Sequence, residues 1–99
     1  MNSVVVLISG RGSNLQALLD AGLPVAAVIS NVPGAGGLAI AAQRGVSTIV
    51  VAHKDFASRE AFDDALAREI DRFSPRLVAL AGFMRVLTPG FVRRYRDRM

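Results

Sequence analysis

Along the chain, short unbroken apolar blocks alternate with longer stretches whose apolar residues recur at helical spacing. Val4-Val5-Val6-Leu7-Ile8 is continuous and mostly β-branched, which predicts a strand buried on both faces. Leu15, Leu18 and Leu19 then stand at i, i+3 and i+4, a helix stopped by Gly22 and Pro24. Residues 25–30 predict a second strand, residues 31–37 a flexible glycine-rich loop without a fixed cap, and residues 38–44 an alanine-rich helix ended by Gly45. Residues 46–52 form a third β-branched block, followed by the polar loop His53-Lys54-Asp55. Ser58 is placed to cap a longer helix in which Phe62, Leu66, Ile70 and Phe73 make one stripe. Arg59, Glu60, Asp63, Asp64, Arg68, Asp71 and Arg72 fall on its other, solvated face, and Ser74-Pro75 ends it. Residues 77–81 predict a fourth strand. Residues 82–87 leave it as a loop, and Thr88-Pro89 opens a last helix with Phe91, Val92 and Tyr95 inward.

Strand and helix alternating in this way, with connections of ordinary length, predict an α/β fold: a Rossmann-like three-layer sandwich on a parallel sheet with right-handed crossovers. Strand order 3-2-1-4 is expected. The sheet then reverses its direction of growth between strands one and four, and ligands in such sheets bind beyond the carboxyl ends at that reversal.

The chemistry suggested at that point is anion binding. Gly10-Arg11-Gly12-Ser13-Asn14 leads from the first strand into the first helix. Its glycines permit a tight turn, Ser13 or Asn14 can cap the helix, and the helix's first N–H groups face outward. No Gly-Lys-Ser/Thr closes a nucleotide-triphosphate loop, and Leu15 stands where a dinucleotide fingerprint has its third glycine. Nor does a Gly-x-Ser-x-Gly elbow surround Ser13, which is therefore given a binding role for phosphate and no nucleophilic one. Residues 83–87 supply the second feature, Phe83, Met84, Val86 and Leu87 around the single charge of Arg85. A loop that apolar either tucks into the core or lines a slot for a ligand. Arg59, a cation in the first turn of its helix, sits against the helix dipole and points to an anionic contact. His53, the only histidine, is read as a surface loop residue.

Composition narrows the class. Ninety-nine residues make one small domain, which buries roughly 60–65% of its unfolded surface. The absence of cysteine rules out disulfides and thiolate metal sites and fits a reducing, cytoplasmic compartment. No signal peptide or membrane span is expected, since the first apolar block breaks at Ser9-Gly10. The net charge of +4 comes largely from Arg85, Arg93, Arg94, Arg96 and Arg98, a cluster read as a solvated helix face and not as a nucleic-acid platform.

Residues 5–16 (VVLISGRGSNLQ), 58–63 (SREAFD) and 80–89 (LAGFMRVLTP) together resemble the phosphoribosylglycinamide formyltransferases of purine biosynthesis, in family order and along the whole chain. Looser kinship reaches formyltetrahydrofolate deformylase and methionyl-tRNA formyltransferase. The resemblance implies that Gly12, Ser13 and Asn14 hold the ribose phosphate of glycinamide ribonucleotide. It implies that Met84, Arg85, Val86 and Leu87 line the folate slot and that Arg59 meets the folate's acidic end. The formyl donor is then 10-formyltetrahydrofolate, with no metal. The family's Asn-x-His-Pro segment and later Asp do not occur in these residues, so the chain is expected to be the nucleotide-binding N-terminal part of such a domain, without its catalytic part and with no catalytic residue of its own. Oxyanion donors are each worth about 10²- to 10³-fold in rate, so the expectation is binding without turnover. Self-association through the outer edge of strand four is also expected. The rival reading is a non-catalytic phosphate- or nucleotide-binding module.

Overall fold

The computed structural model describes residues 4–83 and 88–96. The assignment of Met84, Arg85, Val86 and Leu87 to a folate slot lies outside the described residues, and so does the His53 side chain. Four strands, β1 (Val4–Ile8), β2 (Val25–Ser30), β3 (Ser47–Val50) and β4 (Leu77–Leu80), form one parallel sheet in the order β3-β2-β1-β4. This is the expected order. Between the strands run α1 (Ser13–Asp20), α2 (Gly36–Gln43) and α3 (Arg59–Asp71), and α4 (Pro89–Arg94) follows β4.

Side-chain alternation along the strands divides the core in two. Val5, Leu7, Ala27 and Ile29 face Phe62, Leu66 and Ile70 of α3 and the aromatic pair Phe91 and Tyr95. Val4, Val6, Ile8, Val25 and Val28 face the other way, onto Leu15 of α1 and Ala41 of α2. Val25 and Val28 share a face despite their odd spacing because the register shifts between Val4 and Val5, so that Val4 pairs with Val25 and Val5 with Ala27. The helices thus sit on opposite faces before and after the reversal in strand order, as crossovers of a single hand require. β1, paired on both sides, is at most 4% exposed anywhere. On the outer strands Val50, Leu77 and Leu80 are exposed.

Three expectations about the periphery are corrected. Val92 does not point inward. Phe91 of the six-residue helix and Tyr95 directly after it are buried, and Val92, rotated about 100° from Phe91, is exposed. Asp63 is not on the solvated face of α3, for it is only 4% exposed. The strand at 46–52 is shorter than the apolar run because Val46 N–H turns back to the Ala41 carbonyl at 3.0 Å to close the end of α2.

Candidate functional site

The carboxyl ends of β1 and β4 open side by side, and the Ala81 N–H donates to the Leu7 carbonyl at 2.9 Å just beyond the paired residues. From β1 the chain enters the turn Ser9-Gly10-Arg11-Gly12. Gly12 has φ +86°, in the left-handed region that glycine adopts without strain. It is itself the residue preceding α1, and no side chain caps that helix. The expected cap from Ser13 or Asn14 is therefore not made. Both already stand inside the first turn, too far along to reach back. The Gly12 carbonyl accepts from Gln16 N–H at 2.8 Å, so the amides of Ser13, Asn14 and Leu15 come before the first bond of the helical ladder and have no carbonyl within it. Ser13 and Asn14 are exposed above buried Leu15. Amides and dipole together make this end attractive to an anion.

The turn is held by residues 31–37, which sequence reasoning treated as a loose loop. That expectation is corrected. Ser9 Oγ hydrogen-bonds to Asn31 Oδ1, and Asn31, 5% exposed, donates its own N–H to the Ile8 carbonyl at 3.3 Å. Gly37 N–H donates to the Gly10 carbonyl at 3.1 Å. A Cβ on Gly36 would lie 3.3 Å from the Arg11 carbonyl oxygen, and one on Gly12 only 2.5 Å from the Gly37 Cα. α2 begins two residues earlier than expected because Gly36 and Gly37 wind into its first turn, packed against the β1 exit.

On the β4 side, Phe83 packs against the α3-facing core. The start of α4 is fixed by Asp63, whose Oδ2 accepts the Thr88 N–H at 2.8 Å, while Thr88 Oγ1 caps the helix by accepting from Phe91 N–H at 3.2 Å. Asp63 Oδ1 is buried with no hydrogen-bond partner among the described residues. Sequence reasoning missed this residue although a signal was present: Asp63 precedes Leu66, Ala67 and Ile70 by three, four and seven positions, the spacing of a buried stripe. Arg59 is exposed in the first turn of α3, which Ser58 caps by accepting from Ala61 N–H at 3.1 Å, as expected.

Arg94 of α4 belongs to a structural cluster. Arg94 pairs with Asp71 and lies 5.9 Å from the centre of the Tyr95 ring, and the Tyr95 hydroxyl donates to the other Asp71 oxygen at 2.8 Å. Burial, and then the bond to Asp71, push the Tyr95 hydroxyl up to about 12. A groove of about 610 Å³ runs between α3 and α4, lined by Glu60, Asp64, Arg93 and Arg94 among others. Its charges are of mixed sign and belong to helix surface, whereas the turn after β1 presents backbone donors to one point.

Residues 2–99 match the family model described as formyl transferase. The chain is 48% identical over 103 residues to the phosphoribosylglycinamide formyltransferase of Escherichia coli, covering 98% of this chain and 49% of that protein. It is 52% identical over 104 residues to the trifunctional purine biosynthetic protein adenosine-3 of Drosophila melanogaster, covering 97% of this chain and 8% of that one. The solved structure of the phosphoribosylglycinamide formyltransferase of Coxiella burnetii superposes with a TM-score of 0.96 at 44% identity, over 98% of this chain and 48% of that one. The chain thus spans about half the length of these bacterial relatives.

Proposed function

We propose, for a chain that belongs to the formyl transferase family, that it binds glycinamide ribonucleotide and a reduced folate as part of a phosphoribosylglycinamide formyltransferase of purine biosynthesis. The reaction is transfer of the formyl group of 10-formyltetrahydrofolate to the primary amine of the ribonucleotide. Gly12, Ser13 and Asn14 take the ribose phosphate on the open end of α1. Arg59 and residues 84–87 take the folate, the arginine because its planar fork fits a carboxylate. The observation that carries this reading is that β1, which leads through the Ser9-Gly10-Arg11-Gly12 turn into the uncapped α1 terminus, lies beside β4 at its carboxyl end, where Ala81 N–H donates to the Leu7 carbonyl at 2.9 Å. This supports a reading in which the anion turn and the start of the Phe83 segment share one rim.

No residue of the 99 is given a catalytic role, and no metal is assigned. The proposal is that this stretch forms the nucleotide-binding unit, that assayed as these residues alone it binds without appreciable turnover, and that the transfer itself belongs to the longer proteins of which it matches half. A cytoplasmic setting agrees with the absence of cysteine, and among the described residues no helix is long and apolar enough to cross a membrane. The exposed Leu77 and Leu80 of β4 support association through that edge. The deciding experiment titrates the protein separately with ribose 5-phosphate and with tetrahydrofolate. The proposed function requires both to bind; phosphate binding alone supports the non-catalytic module, and binding of neither refutes both readings.

A further inference from the structure

Every residue of the turn after β1 is gripped by one short segment of chain, residues 31–37. Ser9 is tied to Asn31, the Gly10 carbonyl accepts from Gly37 N–H at 3.1 Å, the Arg11 backbone abuts Gly36, and Gly12 abuts Gly37. The segment is itself anchored. Ser30 Oγ accepts from Val32 N–H at 3.0 Å and donates to the Val32 carbonyl at 2.8 Å, and Asn31 is buried.

Two features indicate that this grip serves something besides packing. α2 opens on Gly36-Gly37, a poor start for a helix. A Cβ at 37 would fall 2.5 Å from Ile8 Cδ1 and 3.2 Å from the Gly12 Cα, and one at 36 would sit tightly on the Arg11 backbone, 3.3 Å from its carbonyl oxygen. Second, a turn carrying two glycines has the most conformational freedom to lose when it closes around a ligand, so an outside template that fixes it beforehand strengthens binding.

We infer that residues 31–37 are the template that holds the anion turn in its binding shape, with Gly37 as the positioning residue. Gly37 touches the ligand at no point; it acts by fixing Gly10 and Gly12, and through them the direction of the amides of Ser13 and Asn14. The inference deepens the proposed function and rests on its phosphate half.

The test separates packing from positioning. Gly37→Ala is compared with Ile8→Val and with the double variant, in which the side-chain atom nearest the new methyl is removed while the Gly12 backbone remains in its way. Melting temperature and the dissociation constants of ribose 5-phosphate and tetrahydrofolate are measured on each. Gly37→Ala is expected to weaken ribose 5-phosphate by about tenfold or more, the scale of a lost hydrogen bond to a charged group, and to leave the folate constant unchanged. The double variant is expected to regain the melting temperature of Ile8→Val without regaining phosphate affinity. Phosphate affinity in the double variant equal to that of Ile8→Val, or lost in the same proportion as folate affinity, overturns the inference. Should Gly37→Ala not fold even with Ile8→Val, Gly36→Ala replaces it, since its methyl meets the Arg11 backbone at only 3.3–3.4 Å, and the same split between the two ligands decides. An unmodified protein that binds no ribose 5-phosphate refutes the proposed function and the inference with it. One that binds it while the variants bind equally well refutes the inference alone.

Discussion

Replacing Asp63 separates the worth of its hydrogen bond from the cost of its charge. The residue is 4% exposed, one carboxylate oxygen accepts the Thr88 N–H at 2.8 Å, and the other is buried with no hydrogen-bond partner among the described residues. Asp63→Asn preserves the shape and leaves a neutral carbonyl oxygen beneath the same N–H. A bond to an ionised acceptor contributes about 1.5–3 kcal/mol and a neutral one about 0.5–1.5, so the exchange loses about 1 kcal/mol. Removing a negative charge from the N-terminus of α4 loses about 0.3–1 kcal/mol more. Opposing both is the penalty of burying a carboxylate that has one hydrogen-bond partner among the described residues, which amounts to several kcal/mol per ion. Asp63→Asn is therefore expected to be neutral or stabilising. Asp63→Ala removes the acceptor altogether and leaves the Thr88 N–H unmatched, placing it about 1–3 kcal/mol below Asn. For a domain of this size each kcal/mol is about 4–8 °C in Tm, and urea denaturation with a constant m-value checks the same ordering. If Asn proves as damaging as Ala, the charge and not the hydrogen bond holds the entrance to α4, and the reasoning fails.

Three further outcomes are expected. Ser13→Ala and Asn14→Ala each weaken ribose 5-phosphate while changing stability by less than about 0.5 kcal/mol, because neither side chain caps α1; a loss near 1 kcal/mol in thermal unfolding would show a cap after all. Ser58→Ala, by contrast, removes the oxygen that accepts Ala61 N–H at 3.1 Å and costs about 1 kcal/mol by urea titration with folate affinity preserved. Tyr95 keeps its proton in the folded state to about pH 12, against 10.0 when unfolded. Its contribution is thus complete below pH 10 and declines as pH rises from there to about 12, since only the unfolded state ionises in that interval. Tyr95 is the one tyrosine, so tyrosinate absorbance follows it directly, and Tyr95→Phe should flatten the alkaline slope of stability.

The strands and their order were legible in the sequence because solid β-branched blocks separated by helical periods admit few topologies. The Ser58 and Thr88 caps were legible for the same kind of local reason, a hydroxyl immediately before an apolar period. What escaped was tertiary. Nothing local says that Gly36-Gly37 packs on Gly12, for glycine leaves no apolar signature and its meaning here lies in a contact between distant segments. Asp63 escaped because its charge outweighed its spacing. Val92 was misplaced because three apolar residues were assigned to a helix that buries only Phe91 and Tyr95. At the site, the turn itself was predictable, but its missing side-chain cap depends on helix phase, which a one-residue difference in where α1 starts decides.

β1 is synthesised before the other strands and completed after them. Val4 meets Val25 on one flank, 21 residues later, and Leu77 on the other, 73 residues later. Closing the longer loop costs only about 1 kcal/mol more than the shorter, so the asymmetry is one of time. At ribosomal speed the intervening residues take about 3–10 s to emerge, and throughout that interval the greasiest segment of the nascent polypeptide presents half its backbone amides and carbonyls unmatched.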